Sequence, residues 1–248
     1  MDQAFLAERT KAFHDYVAKF RSDDVDIQQH MDMKEFHTDK VAAHCRSLAQ
    51  VLQLGAADQA LSELIGLWHD VGRFSQYSRY KTFNDKLSVN HAELGLVELE
   101  RLGWLALISE ADTDIVRFAI GAHNAVKIPA APTERHLLFA KIIRDGDKLD
   151  IFRVLEPFLA PPTEQGCSPQ ILQDLAVGKQ TFFENMKTPD DRKLVRLSWV
   201  YDLNFDWTVQ KVREKNYVDH ILAYLPGTPE LKAIREAMHA YMAKRAQR

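Results

Sequence analysis

Leu61-Ser-Glu-Leu-Ile-Gly-Leu-Trp68-His69-Asp70-Val-Gly-Arg73 is the stretch on which the reading of this chain turns. Leu61, Leu64, Ile65 and Trp68 recur at steps of three and four, which lays an apolar stripe along one face of an α-helix. Gly72 interrupts the pattern, so the His69 imidazole and the Asp70 carboxylate stand at a helix end. Upstream, His37 to Leu54 places Val41, Cys45, Leu48 and Leu52 at the same steps, with His37 and His44 on roughly one face and Gly55 as a stop. Phe5, Leu6, Phe13, Val17 and Phe20 define an opening helix that also carries Glu8, Arg9, Lys11 and Lys19 and reads as a packing arm. Downstream, Arg73 to Asn90 is polar and aromatic with little periodicity and is expected to be a long loop, a kind of segment that often carries function.

Helical patterns resume over 91–102, about 113–123 and about 134–158, where Pro157, Pro161 and Pro162 end the run. Further helices are expected at roughly 169–186, 190–202, 208–225 and 229–246. No two-residue alternation is long enough for a strand. The expectation is therefore an all-α protein, a single helical bundle divided into an N-terminal arm (1–36), a chemistry-bearing core (37–156) and C-terminal helices on the same domain (157–248).

At 248 residues and 46% hydrophobic the chain can bury a full core. A net charge of -3 with 27% charged residues leaves no basic surplus for a long nucleic acid or an anionic membrane face. A small phosphorylated substrate needs only a local cluster and stays open. Cys45 and Cys167 are too few for a disulfide framework, and the opening residues lack the pattern of a signal peptide, so a reducing cytoplasm is expected. No apolar run approaches the roughly 20 residues that cross a bilayer. Neither cysteine has a second Cys nearby, and neither is assigned chemistry.

The His and Asp residues at predicted helix ends and faces are His37, His69-Asp70, His91, His123 and Asp147, each on a different helix. Imidazole nitrogen and carboxylate oxygen suit borderline and hard divalent cations, and converging helices can each deliver one or two ligands to a shared centre. Six ligands are enough for two ions. Two ions about 3.5–4 Å apart can clamp a phosphate and activate water near neutral pH.

The local wording is His37-Thr-Asp-Lys-Val, Leu67-Trp-His69-Asp70-Val-Gly-Arg73, Ser88-Val-Asn-His91-Ala-Glu, Ile120-Gly-Ala-His123-Asn and Ile143-Arg-Asp-Gly-Asp147-Lys-Leu-Asp150. This ordered series, spanning His37 to Asp150, resembles the HD superfamily of metal-dependent phosphohydrolases. The resemblance implies an all-helical fold in which His37, His69, Asp70 and Asp147 bind a first metal. It further implies that Asp70 bridges to a second metal held by His91 and His123. Mn, Fe, Ni, Co or Zn, with Mg also open, would fill one or both positions. The resemblance leads one to expect Ala where this chain has Gly146, a change that loosens a helix by up to about 1 kcal/mol. Asp147 is chosen over Asp145 and Asp150 because it precedes Lys-Leu, the other two being expected to meet salt-bridge partners. His14-Asp15, a second His-Asp pair, sits within the opening helix without the Gly-Arg break and reads as surface chemistry.

A phosphate beside such a site needs donors, and a guanidinium offers a planar fork of them. Arg73, one turn past Asp70, is the first candidate for catalysis and substrate binding. Asn124, Lys127 and Lys148 are second-rank candidates for substrate contact, and Arg79, Tyr80 and Lys81 rank with them. His30, His44, His136, His220 and His239 lack metal-ligand companions. Trp199, Tyr201, Phe205 and Trp207 are expected to be helix packing, ahead of flooring a base pocket.

The expected function is hydrolysis of a phosphomonoester, phosphodiester or nucleotide by metal-activated water. Two alternatives are carried: a mixed-valent di-iron oxygenase, since the ligand order also resembles that of myo-inositol oxygenase, and a metal-containing module that senses a nucleotide without turnover. Arg73 ranks the first ahead, because a guanidinium suits an anion better than a neutral polyol.

Overall fold

Twelve α-helices joined by loops and short 3-10 turns make up the regular structure of the computed structural model, which describes residues 1–246, and no strand occurs among them. The all-α expectation holds. Contacts divide the chain into two units, Met1–Asp147 and Lys148–Arg248.

The first unit contains α1 (Gln3–Val17), α2 (Val25–Val51), α3 (Ala56–Trp68), α4 (Val71–Tyr80), α5 (His91–Arg101), α6 (Glu110–His123) and most of α7 (Glu134–Leu155). Side-chain caps set the starts of α1, α2, α5 and α6. Asp2 accepts from the Phe5 amide, Asp24 from the Asp26 and Ile27 amides, Asn90 from that of Ala92 and Ser109 from that of Asp112. The pairs α2–α3 and α4–α5 pack most extensively. The opening helix contributes to this core: Phe13 and Tyr16 meet Phe74 edge-on at 5.8 and 6.3 Å, and Trp68 stacks on Trp104 at 5.8 Å. Helix α2 runs unbroken across residues 36 and 37, so the arm and the core are continuous helix at that point.

One expected loop is largely helix. Residues 71–80 form α4, whose Phe74 and Tyr77, three apart, are buried and supply the apolar face that the polar composition concealed. Gly72 lies in its first turn, where it ends no helix. A Cβ there would lie 2.4 Å from the His91 carbonyl oxygen and 2.5 Å from the Gly95 amide nitrogen, so glycine is what lets α4 and α5 approach. Lys81 then adopts φ 53° and closes the helix, and the remainder to Asn90 holds only the 3-10 turn Asp85–Leu87.

The second unit is built from α8 (Pro169–Ala176), α9 (Asp191–Leu197), α10 (Asp206–Glu214), α11 (Tyr217–Leu222) and α12 (Pro229–Arg245) around a core that includes Phe152, Ile171, Leu175, Leu194, Val200, Val209 and Met238. Three expected helices are shorter. The 169–186 segment stops at Ala176, with Gly178 at φ +72°; 190–202 tightens to a 3-10 turn from Ser198; and 208–225 is split where Asn216 takes φ 55°. Trp199, Tyr201 and Trp207 pack against this unit's core, the use expected of them. Cys45 and Cys167 form no disulfide, and no helix among the described residues is long and apolar enough to cross a membrane.

Candidate metal centre

Six side chains from six helix ends or faces converge in the first unit. His37 projects from the middle of α2, His69 caps the end of α3, Asp70 opens α4, His91 opens α5, His123 ends α6 and Asp147 lies within α7. Five of them are almost wholly buried, and Asp147 is the most open, with 16% of its side chain exposed.

The two oxygens of Asp70 face different imidazole pairs. Its Oδ2 lies 3.7 Å from His37 Nε2 and 3.5 Å from His69 Nε2, while its Oδ1 lies 3.4 Å from His91 Nε2 and 3.8 Å from His123 Nε2. Asp147 Oδ1 closes the first group at 3.1 Å from His37 Nε2 and 3.7 Å from His69 Nε2. Three overlapping triads have ligand atoms mutually within 4.8 Å: His37, His69 and Asp70; His69, His123 and Asp147; and Asp70, His91 and His123. All six expected ligands are therefore brought together, with Asp70 shared between two groups.

The tautomers say what these groups can hold. His69 Nδ1 faces the Gly66 carbonyl at 2.7 Å, His91 Nδ1 the Asp85 carboxylate at 2.6 Å and His123 Nδ1 the Ile120 carbonyl at 2.6 Å. Each partner is a pure acceptor, so each Nδ1 carries the proton and each Nε2 turns a lone pair inward, the state in which imidazole ligates a metal. His69 Nε2 is buried without a hydrogen-bond partner. His91 Nε2 and His123 Nε2 face each other at 2.9 Å. A hydrogen bond between them would need an imidazolium. Burial opposes that charge, and with His91 and His69 alongside it pushes His123 down to about 3; burial likewise lowers His91. Two lone pairs at that separation repel, and a cation beside them removes the repulsion. The donor set fits one or two divalent metal ions.

Burial alone would raise the carboxyls. For Asp70 the Lys34 ammonium, with Arg73 and the surrounding imidazoles, outweighs it, and for Asp147 the facing His37 and His69 imidazoles do; both are held well below the usual carboxylate range. The ligand carboxylates are thus ionised at neutral pH.

No family model, curated protein or solved structure matches this chain.

The other expected residues have separate fates. Arg73 lies beside the cluster, its Nε 3.6 Å from Asp70 Oδ1 and without a hydrogen-bond partner, while its Nη1 donates to Gln76, the Phe83 carbonyl and Asp85. Asn124 donates to Asn90 at 2.8 Å and more weakly to Asp85 at 3.3 Å. Lys127 is exposed. Lys148 pairs with Asp202 within the second unit. Asp150, set aside in favour of Asp147, pairs with Arg153 as expected of it. Gly146 answers to its neighbour: a Cβ there would lie 2.8 Å from Cys45 Sγ, so the cysteine on α2 occupies the space an alanine would need.

Two contributors escaped sequence reading. Lys34 Nζ lies 2.6 Å from Asp70 Oδ2. It is three residues before His37 on α2, so the shared helix face was a usable signal. Asp85 buttresses both His91 and Arg73 from the short 3-10 turn Asp85–Leu87, and no spacing rule marks it.

Proposed function

We propose that this protein is a metal-dependent phosphohydrolase of the HD type, cleaving a small phosphate ester such as a nucleotide. The reading rests on one observation above others: Asp70 stands between two pairs of imidazoles, and the His91–His123 pair presents opposed, unprotonated Nε2 atoms that call for a cation. His37, His69, Asp70 and Asp147 would hold a first ion, and Asp70, His91 and His123 a second. Ions held there supply Lewis acidity, lowering the pKa of water and offsetting charge on a phosphoryl group.

The surrounding side chains favour an anionic substrate. Arg73 and Lys34 flank Asp70 and are each mostly buried, which strengthens their pull on a phosphate relative to a solvated cation. Asp85 fixes the Arg73 guanidinium through Nη1 and leaves Nε aimed at the cluster without an acceptor. The ligands are set by backbone carbonyls and a carboxylate before substrate arrives, the preorganisation that electrostatic catalysis needs. The order of ligands along the chain is that of the HD superfamily, and the neighbouring cations favour hydrolysis of a phosphate ester over oxygenation of a neutral polyol.

The test is elemental analysis of protein purified without chelator, joined to assays of p-nitrophenyl phosphate, its bis-ester and a nucleotide panel with Mn, Mg, Ni, Co and Fe. The expected result is at least one transition metal per chain and turnover of a phosphoester, both lost in Asp70→Ala. Metal bound in an Asp70-dependent way with iron-dependent oxygen uptake and no phosphoester turnover would overturn the hydrolase reading. No metal under any condition would overturn the centre itself.

A further inference from the structure

All six candidate ligands belong to the first unit, yet the second unit has a cavity of its own, of about 500 Å³. Its wall includes Phe158 and Leu159, the loop residues Met186 and Lys187, and Arg192 and Arg196 of α9. Arg192 and Arg196 are four residues apart and so share one helix face, where two like charges repel. The adjacent carboxylates do not relieve them. Asp190 accepts from Lys193 Nζ at 2.8 Å and from the Thr163 amide and hydroxyl at 2.8 and 2.9 Å. Asp191 accepts from the amides of Ser168, Lys187 and Thr188 at 2.8–2.9 Å.

Arg196 is therefore left with a buried Nε that meets no acceptor. Burial, with the Arg192 charge beside it, pushes its guanidinium down to about 10. A partly buried guanidinium whose Nε is shut off from water and meets no acceptor is unfavourable, and an anion arriving in the cavity supplies what is missing. Arg192, Arg196 and Lys187 bring three positive charges to one wall, which matches a phosphate dianion better than a single carboxylate. The rest of the wall is mixed: Phe158, Leu159, Ala160, Pro161, Met186 and Pro189 are apolar, Thr163 and Thr188 are polar, and Asp190 and Lys193 neutralise each other as an ion pair at 2.8 Å; Phe158 keeps 66% of its surface exposed. The volume falls within the roughly 300–1,000 Å³ usual for small-molecule sites.

We propose that this cavity binds a phosphorylated small molecule, its phosphate held by Arg192 and Arg196 and its organic part lying on Phe158, Leu159 and Met186. The site shares no residue with the His/Asp cluster. It stands or falls independently of the hydrolase reading.

Calorimetric titration of the full-length protein with phenyl phosphate and with inorganic phosphate tests it, in wild type and in Asp70→Ala, which removes turnover and binding at the metal cluster. Phenyl phosphate binding persists in Asp70→Ala and weakens by about tenfold or more in Arg196→Gln and in the double charge reversal Lys187→Glu/Arg192→Glu. Both reversed positions are exposed, so that variant reports even where Arg196→Gln fails to fold. Binding abolished by Asp70→Ala, or unchanged by the charge reversal, overturns the site. Equal affinity for the two phosphates overturns the role given to Phe158, Leu159 and Met186.

Discussion

Replacing Asp85 by Asn asks whether the second half of the centre depends on a residue that ligates nothing. Asp85 Oδ2 accepts from His91 Nδ1 at 2.6 Å, and Oδ1 accepts from Arg73 Nη1 at 2.8 Å and Gln76 Nε2 at 2.9 Å. An amide of the same shape cannot serve both sides. With its NH2 toward His91 it forces the proton onto Nε2, which then points a hydrogen where a metal lone-pair donor is needed. With its NH2 toward Arg73 and Gln76 it sets donors against donors. The carboxylate itself is held below the usual range: burial would raise it, and the hydrogen bond from His91, with the Arg73 charge and the hydrogen bond from Gln76, outweighs that. A partner behind a metal-bound histidine is typically worth 10–100-fold in metal affinity, or about 1.4–2.7 kcal/mol.

The expected outcome for Asp85→Asn is selective loss. Affinity at the His91/His123 position falls by about 10–100-fold while the position held by His37, His69 and Asp147 is filled as in wild type. Manganese titration followed by electron paramagnetic resonance, with elemental stoichiometry as a check, separates the two because spin-coupled pairs and isolated ions differ in signal. Paired ions bound with wild-type affinity in Asp85→Asn refute the role given to Asp85 in orienting His91. Equal loss at both positions, with thermal unfolding shifted down, shows instead that Asp85 holds the fold of the 82–90 segment.

Gly146→Ala should gain helix propensity of up to about 1 kcal/mol yet lose stability overall, because its Cβ meets Cys45 Sγ at 2.8 Å. Cys45→Ala combined with it should recover stability beyond the sum of the single changes, read as thermal midpoints in a double-mutant cycle; additive effects would sink the steric account. Gly72→Ala drives a Cβ into the backbone of α5 and should destabilise by about 1–3 kcal/mol and lower the affinity for metal at His91, since α4 and α5 must part. Asp191→Asn should destabilise by about 1–3 kcal/mol at neutral pH. Burial would raise the Asp191 carboxyl, but hydrogen bonds from Ser168, Lys187 and Thr188 hold it lowered, so its contribution is present above the unfolded carboxylate value near 3.9 and is lost as pH falls through the folded value. The gap in thermal midpoint between wild type and variant should close below about pH 4, and a gap constant with pH would show that the charge contributes nothing.

Much of the fold was legible because helices announce themselves by period. Leu61, Leu64, Ile65 and Trp68 are all buried on α3, as a three-and-four spacing requires. The errors fall where one residue acts through its backbone or where an apolar face is short. Asn216 at φ 55° divides α10 from α11, and nothing in an Asn set among polar and charged neighbours distinguishes a left-handed backbone from a surface helix position. α4 hid because its buried side consists of Phe74, Tyr77 and a polar Gln76, whose amide is satisfied by Asp85, Ser88 and the Val89 carbonyl, all of them outside the helix. A buried glutamine reads as exposed until its partners are known.

The candidate ligands were legible for a different reason: their chemistry is scarce, and His69, Asp70, His91 and His123 sit where helices begin or end. What could not be read is which of them favours a cation most. Asp70 alone does not, since Lys34 at 2.6 Å and Arg73 nearby already offset its charge. A carboxylate with two cations beside it can be an ordinary buried ion pair. The histidines allow no such reading, because Lys34 and Arg73 carry only donors and bring no relief to Nε2 atoms crowded by Asp70 and by each other at 2.9 Å. Their orientation is imposed from behind, by Ile120 and Asp85, and burial denies them the extra proton that would turn repulsion into a hydrogen bond. The opposed lone pairs thus come from Ile120 and Asp85 acting on the tautomers of His123 and His91, which stand 32 positions apart and which only the folded chain brings together.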